Sequence, residues 1–108
     1  MDLKKYKLII EPLAQEDIID IVNYIKEVFV EPQIASRYYT GIKTELYTLS
    51  EFPKRYRPIL TDRFPNEELR MIQIKNYGAF YTVDEKEREV KVIRVLYARR
   101  NWQSLLNR

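Results

Sequence analysis

The sequence predicts an α+β protein of two layers, in which a helical hairpin covers one face of a mostly antiparallel sheet. Two observations carry this prediction. Apolar residues recur at helical spacing in the first half of the chain. β-branched and aromatic residues then run in strand-length bursts in the second half, and each burst ends in a polar, turn-like break.

The first two elements are a strand and a helix. Residues 5–11, KYKLIIE, are rich in strand-forming types and predict the strand. Pro12 then suits the first turn of a helix, where its missing N–H costs nothing. Apolar residues of this helix form one stripe: Ala14, Ile18, Ile21, Val22, Ile25, Val28 and Phe29. The helix is expected to end before Pro32, which disfavours helical geometry in the residue before it.

A second helix follows almost at once and ends at Phe52-Pro53. Its buried side is marked by Ala35, Tyr38, Tyr39, Ile42, Leu46 and Leu49. Because the connection is so short, the two helices are expected to form an antiparallel hairpin.

After an irregular segment over residues 54–68, three strands are expected in a meander, at 69–74, 77–84 and 89–97. A short terminal helix is expected over 101–108, where Trp102, Leu105 and Leu106 have helical spacing. The element order is β-α-α-β-β-β with this tail, and the length predicts a single domain over residues 1–108.

Composition narrows the possible chemistry. The chain has no cysteine and no histidine, which excludes thiol and histidine-based catalysis. Its carboxylates are dispersed, and those at 84–89 are expected to be turn residues, so no metal site and no cofactor are expected. No apolar run approaches membrane-spanning length, and the N-terminus lacks a signal sequence. We therefore expect a cytoplasmic protein without a membrane partner.

Charge is divided unevenly along the chain. Residues 1–53 carry six Lys/Arg and nine Asp/Glu, whereas residues 54–108 carry thirteen and seven. This pattern is typical of an acidic, solvated helix face beside a basic sheet. The alternative is a C-terminal half that faces RNA, DNA or an acidic peptide, which the charge alone favours less.

Arginine, lysine and tyrosine are the residue types left for catalysis, and they can cleave RNA without a metal. Arginine stabilises the charge of a phosphorane-like transition state, and tyrosine or lysine can act as acid or base. The available set is Arg70, Lys75, Arg94, Tyr97, Arg99 and Arg100.

Arg94 has two interpretations. Strand alternation groups it on one face of the last strand with Val90, Val92 and Leu96. It either pairs with an acid on the first helix, Asp17 or Asp20, or turns towards a substrate. Arg99 and Arg100 are expected beyond the strand and exposed.

The chain resembles the RelE/ParE superfamily of toxins from bacterial type II toxin–antitoxin modules. The resemblance rests on the order and spacing of PLAQEDIIDIVNYI in the first helix, LSEFP after the second, ELRMIQIKNYGAFYTVDE, and VKVIRVLYARRNW. It covers nearly the whole chain. It implies the β-α-α-β-β-β fold and a growth-arresting toxin. It also implies a cognate antitoxin that is partly disordered when free and folds over the sheet or the helical hairpin.

The resemblance implies two alternative mechanisms. RelE-like members cut mRNA on the ribosome as metal-free endoribonucleases, and ParE-like members instead poison DNA gyrase. A third possibility is a degenerate toxin that only binds its antitoxin. We predict RelE-like mRNA cleavage first, with catalytic Arg70, Arg100 and Tyr97, and with Arg99, Lys75 and Arg94 contacting the nucleic acid or target.

Residue by residue, the match to RelE-like enzymes is incomplete. Arg70 and Arg100 occupy basic positions of those enzymes, and both are expected to be exposed. Gly78 stands where they have an arginine, and Leu106 falls near the position of a catalytic tyrosine. Tyr97 stands where some relatives have a histidine.

Overall fold

A computed structural model describes residues 5–59 and 68–98. The elements are β1 (Lys7–Ile10), α1 (Pro12–Val28), α2 (Pro32–Tyr47), a 3₁₀ turn (Thr48–Ser50), β2 (Pro58–Ile59), β3 (Leu69–Ile74), β4 (Tyr77–Asp84) and β5 (Glu89–Tyr97). The three meander strands have the predicted bounds. The helix predicted over 101–108, with Trp102, Leu105 and Leu106, lies outside the described residues. No helix in the described ranges is long and apolar enough to cross a membrane.

Each long helix begins with a proline, as predicted for the first. Pro12 and Pro32 occupy the first turns of α1 and α2. Glu31, which precedes Pro32, is extended at φ −78° and ψ 120°, as the steric demand of a following proline requires. The two prolines therefore fix where the chain turns from the sheet into the hairpin, and from one helix into the next.

Within residues 5–59 and 68–98, the sheet has five strands in the order β1-β5-β4-β3-β2. β1 pairs in parallel with β5, and the other neighbours are antiparallel. The prediction that residues 54–68 are wholly irregular is wrong, because Pro58 and Ile59 pair with Arg70 and Leu69 as a short edge strand. A proline suits an edge strand, since it has no N–H to leave unpaired there.

A β-bulge changes which residues of β5 face the helices. The pairing of β4 with β5 slips by one residue after Val92, so Ile93 has no partner. Val95 therefore joins the core beneath the helices, and Leu96 lies in a smaller apolar cluster that belongs to the other face. The predicted grouping of Arg94 and Leu96 with Val92 is wrong because the inserted residue reverses the alternation of the strand.

The core lies between the helices and the sheet. α1 contributes Ala14, Ile18, Ile21 and Ile25, and the end of the hairpin contributes Ile42, Leu46 and Leu49. Three residues predicted to be buried are exposed instead, namely Val28, Phe29 and Tyr39. Val28 and Phe29 stand at the C-terminal end of α1, where they border a groove rather than the core.

One tyrosine ties the loop after the 3₁₀ turn to the centre of the sheet. Tyr81 on β4 is fully buried, and its hydroxyl donates a 2.6 Å hydrogen bond to the Pro53 carbonyl. Burial raises the pKa of Tyr81 to about 12. The neutral hydroxyl is therefore the form that the fold accommodates.

Candidate functional site

The Asp17 carboxylate of α1 binds the edge of β5 beyond the point at which its pairing with β1 ends. Asp17 accepts hydrogen bonds from Arg94 Nε at 2.8 Å and Arg94 Nη2 at 2.9 Å, and from the Val95 backbone N–H at 2.9 Å. The two side chains are only 12% and 15% exposed. Hydrogen bonding to Asp17 raises the pKa of Arg94. Of the two interpretations of Arg94, the structure shows the ion pair, with Asp17 rather than Asp20 as its partner.

Beside this pair lies a groove of about 740 Å³, which we call the aromatic groove. It is bounded by the C-terminal half of α1, the start of α2, the β3–β4 turn and the end of β5. Its lining is largely aromatic and aliphatic, with four tyrosines: Tyr24, Tyr38, Tyr77 and Tyr97. Concave, mostly apolar surfaces with a few polar groups are the usual form of a binding site.

The tyrosines form the floor and rim of the aromatic groove. Tyr77 is buried, and its ring meets the ring of Tyr97 edge to face at 5.8 Å between centroids. Burial, and then the neighbouring Tyr38, Tyr24 and Tyr97, raise the pKa of Tyr77. Tyr24 and Tyr97 are 60% and 39% exposed. Tyrosine hydroxyls on an apolar surface can orient a partner by hydrogen bonding while the rings bury its apolar side chains.

Arg70 does not lie on an open surface. It is 6% exposed, so the expectation that it is exposed is wrong. One guanidinium nitrogen donates to the Tyr56 carbonyl, and Nη2 binds the Glu68 carboxylate at 2.6 Å. Its Nε has no acceptor among the described residues. These contacts hold the chain on both sides of residues 60–67 against β3.

Lys75 and Gly78 lie at the opposite end of β3 and β4 from Arg70. Lys75 has a φ of 54°, and its ammonium lies 5.0 Å from the centre of the Tyr38 ring. A Cβ added at Gly78 would stand 2.7 Å from Met71 Sδ, the far part of a flexible side chain. Gly78, which stands where RelE-like enzymes have an arginine, is therefore closely packed against Met71 of β3.

The predicted residues are not all brought together. Tyr97 and Lys75 lie near the aromatic groove, Arg94 lines it through its pair with Asp17, and Arg70 is buried elsewhere. Arg99 and Arg100 lie outside the described residues. Across residues 5–59 and 68–98, no group of acidic side chains is arranged to hold a metal ion.

Comparison with known families decides the classification. Residues 8–102 match the family model described as the ParE toxin of type II toxin–antitoxin systems, parDE. The chain belongs to this family. The predicted resemblance to RelE/ParE toxins is thereby confirmed, and the protein is a toxin of the type II toxin–antitoxin class.

Solved structures of toxin–antitoxin systems share the fold of this ParE-family toxin. The chromosomal ParDE system from P. aeruginosa aligns with a TM-score of 0.70 and 16% identity, over 87% of this chain and 97% of that one. The RelBE2 complex from Mycobacterium tuberculosis gives 0.58 and 16%, over 89% and 94%. The archaeal RelE–RelB complex from Pyrococcus horikoshii OT3 gives 0.60 and 14%, over 89% and 98%. No curated protein sequence matched the chain.

Sequence reasoning did not find the aromatic groove of this ParE-family toxin. It assigned Val28 and Phe29 to the core stripe and left Tyr24 unassigned. The available signal was the run of large apolar residues up to Val30, which extends past the point where α1 ends. Val28 and Phe29, near the end of this run, line the groove and are exposed instead of joining the core.

Proposed function

We propose that this toxin arrests growth by binding a protein target in the ParE-like manner, with DNA gyrase as that target, and that a cognate antitoxin neutralises it. The aromatic groove carries this proposal. Its exposed aromatic and aliphatic side chains suit the apolar face of a partner helix better than they suit a phosphate backbone. The family model, which describes ParE toxins, supports the same choice.

The arginines of the strands add support, because their guanidinium groups already have internal partners. Arg70 is held by Tyr56 and Glu68, and Arg94 is held by Asp17. An arginine that stabilises a phosphorane must direct its N–H groups to the reacting phosphate. Either side chain would first have to give up hydrogen bonds that support the fold.

The antitoxin is proposed to bury the aromatic groove. Val28 and Phe29 line the groove and are 51% and 39% exposed, and Val30 just beyond them is 94% exposed, so a large apolar surface stands at and just after the end of α1. An antitoxin segment that is disordered when free and folds on binding could cover it with side chains at helical spacing.

This docking can be tested with the product of the adjacent gene. Tyr24→Ala should weaken binding in calorimetry by about tenfold or more, because buried tyrosines are common hot spots of interfaces. Tyr39→Ala is the matched control, since Tyr39 is 44% exposed on α2 and does not line the aromatic groove. Equal affinities of the two variants would contradict the docking site.

Messenger RNA cleavage on the ribosome is the second candidate, and one observation favours it. The Ala98 N–H donates to the Asn76 carbonyl at 2.8 Å, so the last described residue lies beside the turn that carries Lys75. Arg99 and Arg100 follow directly in sequence. In this second candidate Arg100 and Tyr97 are the proposed catalytic residues and Lys75 contacts the nucleic acid, whereas the burial of Arg70 away from this turn counts against a catalytic role for Arg70.

One induction experiment separates these functions. After expression of the chain in cells, gyrase poisoning should give DNA double-strand breaks and an SOS response with intact mRNA. Cleavage of mRNA at codon boundaries without DNA breaks would instead establish the ribonuclease. If cells keep growing with neither DNA breaks nor mRNA cleavage, and the chain still binds its antitoxin, the chain is a degenerate toxin that only binds the antitoxin. Arg100→Ala is expected to abolish toxicity and to leave the thermal unfolding temperature unchanged, which circular dichroism checks.

A further inference from the structure

A second concave surface lies at the other end of the sheet from the aromatic groove. It is a pocket of about 470 Å³ between the start of β1, the loop after the 3₁₀ turn and the β4–β5 turn. We call it the basic pocket. It is lined chiefly by three cations, two aromatic rings and one carboxylate: Lys54, Arg55, Arg88, Tyr6, Phe52 and Glu51.

Arg88 is held in an unfavourable backbone conformation at the rim of the basic pocket. Its φ is 57°, in the left-handed region that glycine or asparagine normally occupies in a turn. The guanidinium lies 4.1 Å from the centre of the Tyr6 ring. Arg88 closes the β4–β5 turn, where hairpin loops commonly use a left-handed residue, and this turn brings its guanidinium over the Tyr6 ring at the rim of the pocket.

The other groups of the basic pocket combine positive charge with flat surfaces. Phe52 is 64% exposed. The Arg55 guanidinium lies 4.9 Å from the centre of the Tyr56 ring, and its Nη2 is held by Thr48 Oγ1. These side chains therefore offer an open phenyl ring and a guanidinium that is already fixed in place.

The ion pairs around the basic pocket are exposed and can exchange partners. Glu85 pairs with Lys54 and lies 3.8 Å from Arg88, and these side chains are 38% to 52% exposed. The Glu85 carboxylate also accepts hydrogen bonds from the Tyr6 hydroxyl at 2.8 and 3.0 Å. Ion pairs with this exposure contribute little to stability, so a phosphate can compete with Glu85 for Lys54 and Arg88 while Glu85 keeps its bond to Tyr6. Phosphate also accepts the planar pairs of hydrogen bonds that guanidinium groups donate.

We propose that the basic pocket binds single-stranded nucleic acid. A base stacks on Phe52, and the flanking phosphates bind Lys54 and Arg88. Cations that follow the backbone beside an exposed aromatic ring are the common arrangement of proteins that bind unpaired strands. This site is separate from the aromatic groove, and the proposal holds whichever target the toxin has.

Fluorescence anisotropy with labelled twelve-nucleotide oligo-dT and oligo-U tests the proposal on the full chain. Phe52→Ala should weaken binding by about fivefold or more without changing its salt dependence, because stacking involves no counterion. Lys54→Ala and Arg88→Gly should each weaken binding and reduce the slope of log Kd against log salt by about 0.7. Arg88→Gly also removes the backbone strain, so its loss of affinity cannot be assigned to a damaged turn.

The matched control is Arg37→Ala, which removes one exposed cation from α2 and changes the net charge equally. Its affinity should stay within about twofold of wild type. If the three pocket variants bind like this control, the proposal is wrong. It is also wrong if a duplex binds as tightly as the single strands, or if a polyglutamate peptide displaces them at equal concentration. A preference for oligo-dT or oligo-U would identify the source of the strand as DNA or RNA.

Discussion

Removal of the Asp17 carboxylate should destabilise the fold more than the loss of any other single acid on α1. In Asp17→Ala, the Arg94 guanidinium stays enclosed without its bidentate partner, and the Val95 N–H loses its acceptor. Breaking a buried pair by removing one partner costs about 3–5 kcal/mol. Because these two side chains keep 12% and 15% exposure, we expect the lower end, about 3 kcal/mol.

That cost can be measured by urea unfolding followed by circular dichroism, and it should lower the melting temperature by more than about 10 °C. Asp17→Asn should cost less, because its amide oxygen can still accept from Val95. Combining Asp17→Ala with Arg94→Met should recover at least about 1 kcal/mol relative to the sum of the single changes, since the enclosed cation that lost the Asp17 carboxylate is then gone. Asp20→Ala is the control and should stay within about 0.5 kcal/mol of wild type. An Asp17→Ala variant as stable as this control would refute the role of the pair.

Two further predictions concern buried polar groups. Tyrosine in an unfolded chain ionises near pH 10, so the raised pKa of Tyr81 contributes stability that is complete below pH 10 and is lost as the pH rises through about 12. Tyr81→Phe should therefore cost about 1 kcal/mol at pH 7 but reduce the alkaline loss, to which Tyr6 and Tyr77, whose pKa values are also raised, still contribute; urea titrations at pH 8 and 12 compare the two. Arg70→Ala should cost about 2–3 kcal/mol, because it removes the guanidinium that donates to the Tyr56 carbonyl and binds Glu68, whereas Arg57→Ala, at an exposed position, should cost less than about 0.5 kcal/mol. Toxicity per folded molecule should be equal in these two arginine variants, and a selective loss in Arg70→Ala would restore a direct role for Arg70.

The strands could be predicted from sequence because their limits are local. Polar breaks at residues 75–76 and 85–88 end each burst of β-branched residues, and the observed bounds agree. The bulge after Val92 could not be predicted, since one inserted residue leaves the composition of β5 unchanged while it reverses which residues face the helices. Simple alternation therefore assigned Val95 and Leu96 to the wrong faces.

The environment of the arginines was harder to predict than the strands. Asp17 and Arg94 are 77 positions apart, and the sequence offered Asp20 as an equal partner. Only the parallel pairing of β1 with β5 brings the start of α1 to the open edge beside Val95. The burial of Arg70 depends in the same way on the loop that carries Tyr56. Contacts of this kind depend on how the elements pack in three dimensions, which the hydrophobic periodicity of the sequence does not specify.

Lys75 allows a test that separates function from stability. Its φ of 54° costs about 1 kcal/mol relative to glycine, and its exposed stacking on Tyr38 returns about 0.5–1 kcal/mol. Lys75→Gly should therefore keep the stability of wild type within about 0.5 kcal/mol, whereas Lys75→Ala keeps the strain, loses the stacking and should be less stable by up to about 1 kcal/mol. If Lys75 contacts the target, Lys75→Gly will lose growth arrest while its melting temperature stays unchanged. Growth arrest equal to wild type in Lys75→Gly would exclude Lys75 from the target contact and leave the tyrosines of the aromatic groove to supply it.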